Sequence, residues 1–177
     1  MDIPYSLSLP DGYNTISPFC ITSIASCTGT LGTPASTTWP SSNLGIAIPF
    51  RVSRTVKLQK VFWLNGTVVG YNVDVGVYSA DWTKLGSIGS TGQGSASTLT
   101  TATLTTQFGP GLFYMAMAMS NSLGTAWRSS SMTLSAMRTL GCAQMASALA
   151  LPSTFTPAAI GQAYIPVFGL LPTRSYA

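Results

Sequence analysis

The chain has 177 residues, of which 7% are charged, against about a quarter in an ordinary soluble domain. It contains no histidine and no glutamate, and its only acids are Asp2, Asp11, Asp74 and Asp81, which removes most acid–base and metal-ligand chemistry. The net charge of +4 rests on eight cations, so the composition points to a structural or binding module and away from an enzyme.

Serine, threonine, glycine and proline dominate while lysine is scarce, which disfavours long exposed helices. A surface built from hydroxyls, amides and backbone is poorly protected against association, so much of it is expected to face other protein. Residues 1–44 have no sustained period and are punctuated by Pro4, Pro10, Pro18, Pro34 and Pro40. They are read as an extended arm, with Ile16, Phe19, Ile21, Ile24 and Trp39 as apolar anchors, ahead of a domain at 45–177. Met1-Asp2-Ile3-Pro4 lacks the basic and apolar regions of a secretory signal. The longest apolar run, Leu112 to Met119, is far too short to span a bilayer.

From residue 45 the pattern turns to strands. Gly45–Phe50 is short and apolar, and Thr55–Leu64 alternates until its phase slips near Lys60, which predicts a bulge or a strand that changes face. Asn65-Gly66 reads as a tight hairpin turn. In the next strand Tyr71, Val73, Val75 and Val77 face one way, while Asn72, Asp74, Gly76 and Tyr78 form the polar face. Ser79–Lys84 is a turn, Leu85–Ile88 a short return, Gly89–Ser97 a loop, and Thr98–Thr106 a threonine-rich strand near an edge. Leu112–Met119 is apolar on both faces and is expected at the centre of a sheet, with Ala116 and Ala118 letting a second layer approach closely. Gly124–Ser129 makes a further strand, residues 137–149 hold a short helix, and Ala163–Leu170 is a last strand whose Pro166 marks an edge or bulge. Short strands with turn signals between them predict an all-β, jelly-roll-like β-sandwich.

No catalytic arrangement emerges. Without histidine there is no Ser-His-Asp or Cys-His site, and Gly86–Gly94 lacks the lysine of a phosphate loop. Asp74 and Asp81 are the nearest approach to a glycosidase pair, but strand and turn roles explain both. Three cysteines, Cys20, Cys27 and Cys142, cannot close a disulfide framework, and without histidine or a CxxC spacing they make no zinc site. No cofactor is expected. Arg51, Arg54, Lys57 and Lys60 cluster, yet lack the aromatic interleaving of a nucleic-acid stripe. The residues singled out for assembly or ligand contact are Trp39, Tyr78, Trp82, Arg51 and Arg54; Trp82 in a turn and Tyr78 on a polar face would equally suit a glycan.

The stretch Asn72-Val73-Asp74-Val75-Gly76-Val77-Tyr78, followed by Lys84-Leu85, Gly89-Ser90-Thr91 and Gly109-Pro110-Gly111-Leu112-Phe113-Tyr114-Met115-Ala116, resembles a group of tailed-bacteriophage virion proteins. Ile48-Pro49-Phe50-Arg51 and Phe62-Trp63-Leu64-Asn65-Gly66 extend the resemblance over roughly residues 38–170; the usual glycine after the Val-Tyr strand is replaced by Trp82. The resemblance implies a non-enzymatic virion component. Its first expected role is a capsid decoration or cement protein on the outer shell, partnered by the major capsid protein and by copies of itself as a trimer. The alternative is a tail-fibre or receptor-binding module that recognises host glycans.

Overall fold

The computed structural model describes residues 35–129 and 132–173. Within them run β1 (Ala35–Thr38), β2 (Gly45–Val52), β3 (Val56–Leu64), β4 (Asn72–Ser79), β5 (Lys84–Ser87), β6 (Thr91–Gly92), β7 (Leu99–Phe108), β8 (Gly111–Met119), β9 (Thr125–Arg128), helix α1 (Leu134–Thr139), β10 (Ala143–Met145), β11 (Ala158–Ala159) and β12 (Phe168–Pro172). The fold is all-β, as the strand pattern predicts, and every strand pairing is antiparallel.

The large sheet has the order β11-β10-β2-β8-β4-β5 with β6 also on β4; a smaller sheet runs β12-β3-β7, and β1 forms a ribbon with β9. The two main sheets bury their alternate residues against each other. Ile46, Ile48 and Phe50 of β2, Val73, Val75 and Val77 of β4 and the methionines of β8 meet Leu58, Val61 and Trp63 of β3, Leu104 of β7 and Phe168 of β12. β8 lies between β2 and β4, the central place its two apolar faces predict. The irregularity expected near Lys60 is present: the β3–β7 register shifts between Leu58 and Lys60.

Several expectations change. Asn65-Gly66 is not a tight hairpin, because β3 and β4 belong to different sheets. Asn65 is buried instead, and its Nδ2 donates to the carbonyls of Gln93 (2.6 Å) and Ser95 (3.0 Å), tying down the loop before β7. Gly66 is required there by space, since a Cβ would collide with the side chains of Thr125 and Ser36. The arm boundary at residue 44 also moves. β1 is already paired with β9, and Trp39 is buried, its indole N–H donating to the Leu44 carbonyl at 2.9 Å and its ring edge-on to Tyr164. Cys20, Cys27 and the anchors Ile16, Phe19, Ile21 and Ile24 lie outside the described residues.

The helix occupies Leu134–Thr139, earlier than the expected 137–149, because the Thr133 side chain caps it by accepting from Ala136 N–H. Gly141, at φ +83°, then turns the chain out toward β10. The last strand starts at Phe168, beyond Pro166, which makes only an isolated bridge to Arg128. Proline has no N–H to give a continuous ladder.

Candidate functional site

The outer face of the large sheet carries small residues: Ala47 on β2, Ala116 and Ala118 on β8, and Ala143 on β10. Ala148, Leu151 and Phe155, from the segment 146–157, pack onto them with Tyr78 to form a second, smaller core. The alanines thus admit the close second layer that their size predicts. Gly45 is equally constrained, since a Cβ there would stand 2.7 Å from the Ala148 Cβ.

This strap is fixed by polar contacts on both sides. Asp74 Oδ2 accepts from Leu151 N–H at 2.9 Å and from the Ser87 hydroxyl at 3.2 Å. Lys84 Nζ donates to the Leu151 carbonyl at 2.6 Å, and the Tyr78 hydroxyl to the Pro152 carbonyl at 2.8 Å. Backbone bonds from Lys84 N–H to Ser153 O and from Phe155 N–H to Trp82 O complete the seam. Two oppositely charged side chains therefore grip the two backbone groups of Leu151.

Asp74 was expected on a polar face open to solvent; it is fully buried. Its Oδ1 has no hydrogen-bond partner. Burial raises its carboxyl above the usual range, against the pull of Leu151 N–H, Ser87 and Lys84. The Tyr78 hydroxyl is likewise raised by burial and by the neighbouring Asp74 charge. Asp81 is exposed: the hydroxyls of Ser79 and Thr83 donate to it, and the Ser79 bond leads in holding its carboxyl below the ordinary value. One carboxylate is sealed under the strap and the other is in solvent within its own turn, so they share no cleft.

The five residues expected to make contacts are not brought together. Trp39 and Tyr78 are buried. Trp82, at φ +67°, is half-buried and stacks on Tyr114 with ring centroids 3.8 Å apart and on Phe155 at 5.3 Å. Arg51 and Arg54 are exposed where the chain crosses between the two sheets. Cys142 is buried and its thiol is pushed up to about 12, which leaves it protonated at neutral pH.

The described cations divide into two sets. Lys84, Arg128 and Arg138 are spent on backbone carbonyls, and the Arg128 guanidinium also lies over the Tyr164 ring. Arg51, Arg54, Lys57 and Lys60 are exposed and have no partner among the described residues. Lys57 and Lys60 stand on β3, on the outer face of the small sheet. Beside them are Gln59 and, from β7, Thr101, Thr103, Thr105 and Gln107, all exposed. Sequence reasoning placed the threonine strand at an edge but missed this face, whose signal was the alternation of Thr101, Thr103 and Thr105.

No family model, curated protein or solved structure matches this chain. Its chemistry rests on its own geometry. Among the described residues no group of three His, Cys, Asp or Glu side chains is placed to hold a metal ion, and no helix is long and apolar enough to cross a membrane.

Proposed function

We propose that this chain is a non-enzymatic structural module, a jelly-roll-like capsid decoration protein of a tailed bacteriophage that attaches to the outer shell. The resemblance of its strand motifs to virion proteins supplies the setting. The observation that carries the reading is the contrast in its ionic groups. Asp74 and Asp81 are committed to holding a strap and a turn, while Lys57 and Lys60 on the outer face of the small sheet, with Arg54 at its end, stand exposed and have no partner among the described residues. Reactive chemistry has few groups to draw on; attachment has a surface. A glycan-binding role has less support, because Trp82 is already stacked on Tyr114 and Phe155 and the Tyr78 hydroxyl is bonded to Pro152.

The test is the copy number of the chain per particle, by quantitative mass spectrometry against the major capsid protein. A near-stoichiometric ratio is expected. A few copies per particle would move the chain to the tail and return the glycan reading to the front, and complete absence from particles would overturn both.

A further inference from the structure

We propose that the outer face of the three-stranded sheet is a docking surface for an acidic face of another protein. The inference rests on the attachment reading above and names the chemistry of the partner.

Three features build the surface. The first is the register shift between β3 and β7. Side chains alternate along a strand, so Lys57 and Lys60, three positions apart, would point to opposite faces of a regular one. The register shift between Leu58 and Lys60 leaves Gln59 and Lys60 both exposed and returns Val61 to the core. Without it, either Lys60 or Val61 would be on the wrong side. The shift therefore goes with two ammonium groups on one face, about 10 Å apart along the strand.

The second is β7. Thr101, Thr103 and Thr105 stand outward in alternate positions, opposite or diagonal to Lys60, and Gln107 is opposite Lys57. Threonine is short and stiff at χ1, so ordering these hydroxyls costs little on binding. β7 is also an edge strand of ten residues with no charge and no proline, without the usual devices that discourage association. The third is the absence of opposing charge. The two described acids are Asp74, sealed beneath the strap on the far side of the sandwich, and Asp81, in the turn between β4 and β5. Neither pairs with Lys57 or Lys60, and Arg54 extends the positive field at the sheet's end.

Charge complementarity selects the occupant. A second copy would present the same lysines to each other, so homotypic face-to-face docking is disfavoured. Nucleic acid is disfavoured because the face offers only three cations and has no exposed aromatic for stacking; Phe62 is 9% exposed. A flat hydroxyl and ammonium surface suits carboxylates on a folded partner. The exposed part runs over residues 57–60 of β3 and 101–107 of β7, about seven residues by two strands or about 24 by 10 Å, less than one partner's share of a standard interface. Its strength then comes from repetition across an assembly.

Arg51 provides an internal control. It follows the alternation of β2 and points off the outer face of the large sheet, away from Lys57 and Lys60. The experiment titrates the isotopically labelled full chain with poly-L-glutamate at low ionic strength and follows the backbone amides, with a DNA duplex as a second probe. Shifts confined to β3, β7 and the 53–55 turn are expected. The double variant Lys57→Gln/Lys60→Gln should weaken binding about tenfold, whereas Arg51→Gln/Arg138→Gln, which removes the same charge, should leave it within about twofold. Equal loss in both variants would reduce the effect to net charge and overturn the proposal. Tighter binding of the duplex at this face would replace the protein partner with nucleic acid, and no shifts at all would refute the surface. This measurement needs no particle, so its failure is distinguishable from failure of the copy-number test.

Discussion

The outer faces of the large and small sheets begin with the same problem, a strand surface that the main core does not cover. On the large sheet, Ala47, Ala116 and Ala118 are small, and a strap lies over them with Leu151 and Phe155 packed down. On the small sheet, Lys57, Gln59, Lys60, Gln107 and alternate threonines of β7 are exposed at the equivalent positions, with Phe62 buried beyond them. Under the strap the first face consumes Asp74 and Lys84, which both bond to Leu151, and only Arg51, off the strap at the end of β2, stays exposed among its described charged groups. The second leaves its charged groups without partners among the described residues. In a chain with so few ionic side chains, where each is used separates the part that holds the fold together from the part available to a partner.

The largest expected effect comes from the closed face. Phe155→Ala removes the aromatic that joins Tyr78 and Trp82 and should cost about 3–5 kcal/mol in chemical denaturation, with faster amide exchange across 146–157. Ala116→Leu places a branched side chain under the strap and should cost about 1–3 kcal/mol. Thr103→Leu, the comparable enlargement on the open face, should stay within about 0.5 kcal/mol; equal costs would erase the distinction between the faces.

Asp74 sharpens the comparison through pH. Its folded carboxyl is raised above the ordinary 3.8 by burial, opposed by Leu151 N–H, Ser87 and Lys84. Stability from this group is therefore fully present below that ordinary value and is lost as the pH rises through the raised one. Asp74→Asn keeps an acceptor for Leu151 N–H and removes the buried charge. Its stability relative to the native chain should rise from acid toward neutral pH and then level, as read from denaturation midpoints across that range. A constant difference would show that the carboxyl titrates as it does in the unfolded chain. The smallest effect is expected for Lys57→Gln/Lys60→Gln, within about 0.5 kcal/mol of native stability.

Much of the architecture was legible because it depends on local pattern. The double apolar face of β8 places it centrally, and the phase slip at Lys60 marks the register shift. Asn65-Gly66 misled because turn chemistry is local, while the choice of sheet for the next strand is not. Alternation along β4 separates Asp74 from Val73 and Val75, but it does not say whether the second face is covered. The cover, residues 146–157, has no period of its own; its trace in the sequence is the set of alanines on neighbouring strands. Trp39 was read as an anchor of an arm, and only the pairing of β1 with β9 makes it part of the main core. The docking face was hidden for a related reason: Thr101, Thr103 and Thr105 gain meaning only when β3 sets Lys57 and Lys60 beside them.

The chain's three lysines report on both faces at once: Lys57 and Lys60 are exposed, while Lys84 is half-buried and bonded to the strap. Lysine-selective acetylation read by mass spectrometry, on the free chain and on the chain mixed with the phage particle that the proposed function assigns it, tests the division directly. In the free chain Lys57 and Lys60 should react quickly and Lys84 slowly; on the particle Lys57 and Lys60 should become protected while Lys84 is unchanged. Undiminished reactivity of Lys57 and Lys60 on the particle, or fast modification of Lys84 in the free chain, would contradict it.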